Sequence, residues 1–186
     1  VGYRMTFDYE VKRRIARRAA DMVASGEAVM IESGSTCAML AEELVRKKRD
    51  VTIITNSAFI AGYVRSIPGA RVVLLGGTYD PDAQEMSGPL VGKCAEEYYV
   101  DKFFIGTDGY DPKQGFSNVD MLRAEAVRAM AARADKRIIL TDESKFNKRG
   151  VVQLMPAREI THVITNAIPD NCRASLTESG VEIILT

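Results

Sequence analysis

Tryptophan is absent, histidine occurs once and cysteine three times in 186 residues. Cys37, Cys94 and Cys172 are widely spaced, odd in number and in no C-x-x-C pattern, which argues against a disulfide framework and suits a reducing compartment. The lone His162 has no companion His or Cys at ligand spacing, so no metal site is expected. No apolar run approaches the roughly 20 residues of a membrane span, and no signal-peptide pattern opens the chain, so a cytoplasmic protein without a membrane partner is expected. Neither sign of charge is in excess, with 25 Lys plus Arg against 25 Asp plus Glu. The chain as a whole therefore lacks the field that holds a polyanion such as DNA, and any nucleic acid would be bound by another domain.

What is present is ordinary for one substantial globular domain: 46% hydrophobic and 27% charged residues, enough for a real core. From Tyr9 to Ala24, Ile15, Ala16, Ala19, Ala20, Met22 and Val23 recur at helical spacing, while Lys12, Arg13, Arg14, Arg17 and Arg18 read as a solvated face. Strands are expected at Ala28 to Glu32, Val51 to Thr55, Arg71 to Leu75, Lys102 to Gly106, Arg137 to Thr141, His162 to Thr165 and Glu182 to Leu185. Helices between them start near Cys37, after Ser57, at Ser87-Gly88-Pro89, at Asp120 and near Asn171. The helix from Asp120 to Ala134 is expected to bury Leu122, Ala126, Ala129 and Met130, and Thr78 to Met86 reads as a polar loop. Strands apolar on both faces that alternate with helices give an α/β, Rossmann-like, mostly parallel sheet with helices on both faces. Ligands of such sheets sit outside the carboxyl ends of the strands.

Those ends carry the chemistry. Ser33, Gly34, Ser35 and Thr36 break an apolar run before a helix, which offers free amides and a positive dipole end to a phosphate, and Lys145 at a later strand end adds a cation. Asn56, Gly76, Gly77, Asp108, Gly109, Asp111 and, on a following helix, Glu125 supply amides and carboxylates suited to sugar hydroxyls. A phosphorylated sugar needs both halves. The plainer alternatives stay open: Asp108 and Asp111 could cap the turn before Pro112, Glu125 could pair with Arg123 or Arg128, and Lys148 and Arg149 read as a solvated turn. Cys37 stands at a helix N-terminus, where a thiolate is stabilised, yet packing is its expected role.

Glu10 to Ala20, Ile31 to Thr36, Ile54-Thr55-Asn56, Leu75-Gly76-Gly77, Phe104 to Gly109, Glu125-Ala126 and Asp142 to Phe146 together resemble the effector-binding domain of DeoR-family transcriptional regulators. The resemblance covers nearly the whole chain, 1–186, as one domain. It implies a ribose-phosphate isomerase-like fold, related also to glucosamine-phosphate deaminase, that senses a phosphorylated sugar. It further implies a homodimer or homotetramer, no cofactor, and operator DNA bound only through an N-terminal winged helix-turn-helix domain absent from this chain; the Val1 start fits that omission. The competing reading is an aldose–ketose isomerase. Asp108-Gly109-Tyr110-Asp111 resembles the Asp-Gly-x-Asp of ribose-phosphate isomerases, with Glu125 in the place of their catalytic carboxylate. The lysine and glycine-rich run of those enzymes is replaced by Gly115 to Val119, which leaves a developing enediolate poorly served. No catalytic residue is therefore expected.

Overall fold

The structure, a computed structural model, describes residues 2–186; Val1, with the reading placed on it, and the Tyr3 side chain lie outside the described residues. A short helix α1 (Gly2–Met5) turns into α2 (Tyr9–Ala20), which stops short of Ala24. Then β1 (Ala28–Ile31), α3 (Ser35–Lys47), β2 (Thr52–Thr55), α4 (Ala58–Val64) and β3 (Arg71–Leu74) alternate as the sequence pattern predicts. The stretch expected to be a loop over 78–86 is instead a hairpin, β4 (Thr78–Asp80) and β5 (Glu85–Ser87). Asp80 organises its turn by accepting the Asp82 and Ala83 amides. Helix α5 (Pro89–Ala95) is capped at Gly88, because Ser87 is held in the ladder opposite Thr78.

After β6 (Val100–Ile105) comes a second hairpin, β7 (Gly109–Asp111) and β8 (Gly115–Asn118). Helix α6 (Met121–Ala131) starts where the Asp120 side chain accepts the Arg123 amide. The chain ends with β9 (Ala134–Leu140), a 3-10 turn (Glu143–Lys145), β10 (Val152–Met155), β11 (His162–Thr165), α7 (Asp170–Glu178) and β12 (Glu182–Leu185).

Seven strands form one parallel sheet in the order β12-β11-β9-β6-β1-β2-β3, and β10, β8 and β7 form a small antiparallel sheet. Successive residues of the central strands enter opposite cores. Val29, Ile31 and Phe104 pack toward α2, α3 and α4, whereas Met30, Phe103 and Ile105 pack toward α5, α6 and α7. Each such side chain, fully buried, is worth about 1.5–3 kcal/mol, which is why runs apolar on both faces settle in the middle of the sheet. The phase of α6 differs from expectation. Ala124, Val127, Met130 and Ala131 are buried with Ala126, while Leu122 is 53% exposed. No helix among the described residues is long and apolar enough to cross a membrane.

The chain runs outward from β1 through β2 to β3, then returns to β6 on the other side of β1. That reversal separates the loops leaving β1 and β6 and opens a crevice at their carboxyl ends.

Candidate functional site

A cleft of about 390 Å³ opens at this reversal point. Its first wall is the loop from β1 into α3. Ser33, Gly34, Ser35 and Thr36 line it, and the first-turn amides of α3 have no intrahelical acceptor. Gly34, the cap, has φ of +147°, a conformation open to glycine and strained for other residues. Cys37 reaches the same wall but is buried against Phe104. Burial, reinforced by the nearby Glu32 carboxylate, pushes its pKa far up, so it packs as a thiol.

The second wall leaves β6. Thr107 donates its hydroxyl to the Gly109 and Ser117 carbonyls and so fixes the turn. Asp108 lines the cleft half-buried, one carboxylate oxygen accepting the Val119 amide at 3.1 Å. The third wall leaves β9. Asp142 accepts the Ser144 amide at 2.8 Å and also its hydroxyl, which holds the 3-10 turn that sets Lys145 on the cleft. Lys148 also lines the cleft, although the basic run around it reads as a solvated turn. The α1–α2 junction adds Arg4, Phe7, Asp8 and Lys12, none of which the sequence reading assigned to a site.

Beneath the cleft lies a buried ionic cluster. Glu32 is fully buried; one oxygen accepts the Gly106 amide at 2.8 Å and the other the Arg123 Nε at 3.1 Å. Arg123 also donates to the Ser33 carbonyl at 3.4 Å and stands 3.8 Å from Glu85 of the β4–β5 hairpin. Burial pushes the Glu32 carboxyl up to about 7 against the pull of Arg123, and raises Glu85 as well. The two carboxylates, Glu32 foremost, hold Arg123 well above its ordinary value. Its periodicity could have identified this residue, since Arg123, Val127 and Met130 share the inward face of α6.

The remaining residues assigned to the sugar do not line the cleft. Asn56 is buried where β2 ends, its side-chain amide donating to the Met86 carbonyl; the β4–β5 hairpin covers that strand end. Gly76 and Gly77 abut α5 and the β5 backbone under the same hairpin. Gly109 sits behind Asp108, where a Cβ would lie 2.5 Å from the Lys148 carbonyl. Asp111 takes the turn role, accepting the Lys113 and Gln114 amides and pairing with Arg149 at 2.9 Å. Glu125 points out of the exposed face of α6, because the helix phase that buries Ala124 and Val127 carries it outward. His162 lies beside Glu182 at 3.1 Å.

The family described as the DeoR C-terminal sensor domain matches residues 8–167. The chain belongs to that family. Among curated DeoR-type regulators, UlaR of Shigella dysenteriae is 31% identical over 95% of the chain and 69% of its own length. The repressor GlcR of Bacillus subtilis is 29% identical over 95% and 68%. A protein of Escherichia coli O157:H7, to which its name ascribes repression of the aga operon, is 30% identical over 94% of the chain, which spans 65% of that relative. The DeoR sensor domain also shares its fold with solved structures. Ribose 5-phosphate isomerase from Plasmodium falciparum superposes at TM-score 0.54 with 21% identity, over 75% of this chain and 54% of that one. Translation initiation factor eIF-2B from Pyrococcus horikoshii gives 0.56 with 20% identity, over 86% and 63%.

Proposed function

We propose that this DeoR sensor domain binds a phosphorylated sugar in the cleft between the β1, β6 and β9 ends. Binding would control the attachment to operator DNA of a helix-turn-helix segment elsewhere in the full protein. The observation that carries the reading is the pairing of chemistries in one cleft. Free helix-α3 amides and Lys145 form an anion end, and Asp108 offers a carboxylate for hydroxyls. Regulators among the relatives support control of transcription, and a symmetric assembly of two or four chains would match a symmetric operator.

The geometry favours sensing over turnover. An isomerase needs a carboxylate base beside the substrate carbon. Glu125 stands outside the cleft, Glu32, whose raised pKa would suit a base, is wholly buried and engaged by Arg123 and Gly106, and Asp108, the acid of the Asp-Gly-x-Asp stretch that does line the cleft, holds the Val119 amide with one oxygen. A thermal-shift panel of phosphorylated pentoses and hexoses tests the reading: at least one sugar phosphate raises the melting temperature, its unphosphorylated sugar does not, and Lys145→Ala removes the response. No response to any member sinks it. Aldose–ketose conversion by the chain would instead establish the enzyme.

A further inference from the structure

Lys12 is the most unusual residue of the cationic first turns. Its side chain is buried to 8% exposure, yet among the described residues no carboxylate lies within ion-pairing distance of its ammonium. Its ammonium donates to the Arg4 carbonyl at 2.5 Å. The same carbonyl accepts the Phe7 amide at 3.3 Å, so Arg4 closes the turn between α1 and α2. Asp8, at the start of α2, has the left-handed φ of +51°. Arg4, Phe7, Asp8 and Lys12 all line the cleft, as Lys145 does. A desolvated ammonium without a counter-ion is costly. Burial accordingly lowers the Lys12 pKa, with Arg4 and Lys145 adding to the effect and Asp142 and Asp8 opposing it.

We propose that Lys12 is a direct ligand of the anionic group bound in the cleft, and that through it the bound anion fastens α1 and the α1–α2 turn onto α2. The proposal rests on the sensor reading of this cleft and adds to it a residue and a consequence. An ammonium has three donors. Lys12 keeps the Arg4 carbonyl with one and gives another to the anion, opposite the α3 amides and beside Lys145. Anion, Lys12 and the Arg4 carbonyl then form one chain of hydrogen bonds from the sheet to the first helix. Occupancy of the cleft is thereby felt at α1, which lies ahead of the sensor fold in sequence. The α1–α2 turn is suited to such a role: Thr6, Phe7 and Asp8 are exposed, while Met5 before them is buried.

Inorganic phosphate is the probe. Lys12→Met keeps the aliphatic stem in place and removes the charge; Lys12→Gln keeps a donor without the charge. Both variants should bind phosphate about tenfold more weakly than the native chain, the loss expected of one charge-assisted hydrogen bond. In the native chain, saturating phosphate should slow amide hydrogen exchange across residues 4–8. That second measurement needs no variant and survives any folding defect. Phosphate affinity unchanged in folded Lys12→Met, or phosphate binding that leaves exchange at residues 4–8 unaltered, overturns the proposal. If Lys145→Ala loses phosphate while Lys12→Met retains it, the sensor reading stands and Lys12 drops out. A native chain that takes up no phosphate removes the Lys12 proposal, and the sugar-phosphate panel then decides the sensor reading separately.

Discussion

Two sets of cations meet at the cleft, and they are neutralised in opposite ways. Arg123 is sandwiched between Glu32 and Glu85, both buried carboxylates of the protein's own. Lys12 and Lys145 line the open side with no carboxylate in ion-pairing contact among the described residues. The difference separates architecture from recognition. A buried charge with its partners in place holds loops together, and on the proposed reading the cations lacking them are the ones a bound anion would neutralise. Chemistry that looks alike in a residue inventory is therefore split by burial and by partners.

The comparison can be broken at four points. Arg123→Met should do the most damage, about 3–5 kcal/mol of stability at neutral pH, because it leaves two carboxylates buried without a cation; denaturant unfolding measures it, and a loss under about 1 kcal/mol would mean the cluster is not structural. The pH dependence of Glu32 comes next. Its pKa rises from 4.5 to about 7 on folding, so its contribution is fully present below pH 4.5 and is lost as pH rises through about 7. Unfolding free energy of the native chain should fall across that window relative to Glu32→Gln by up to about 3 kcal/mol, and parallel curves for the two proteins would refute the raised pKa. Lys145→Met should change stability by less than about 0.5 kcal/mol while abolishing the thermal shift from a sugar phosphate; a large stability loss would move Lys145 to the architectural side. Glu125→Gln should be silent in both assays, and a lost ligand response would place it back at the site.

The large sheet was readable because its strands are short β-branched runs between turn signals, as at Val51 to Thr55. The hairpins were not. Strands of three or four residues such as Thr78–Asp80 and Gly109–Asp111 carry no apolar period, and their pairing is set by turns and long-range contacts. The sheet positions β4–β5 over the ends of β2 and β3, which is why Asn56, Gly76 and Gly77, correctly placed at strand ends, face a lid of chain and not the cleft. Ser33 to Thr36, Asp108 and Lys145 were legible because the β1, β6 and β9 ends converge where the strand order reverses. Lys12 was hidden in a run of five cations on one helix. Its phase was the available signal, since Lys12, Ile15, Ala16 and Ala19 lie on one stripe, and all are buried. Glu125 failed for the same reason, reversed: it lies out of phase with the inward face of its helix.

The hydrogen bond from the Gly106 amide to Glu32 sews the two central strands together at the point where an open α/β sheet usually gapes. Whatever settles above that stitch meets a sealed floor and is distinguished only by groups on the three surrounding loops and the entry helix. On the proposed reading, substitutions confined to that rim would change which anion is read while the folding of the sheet remains the same problem.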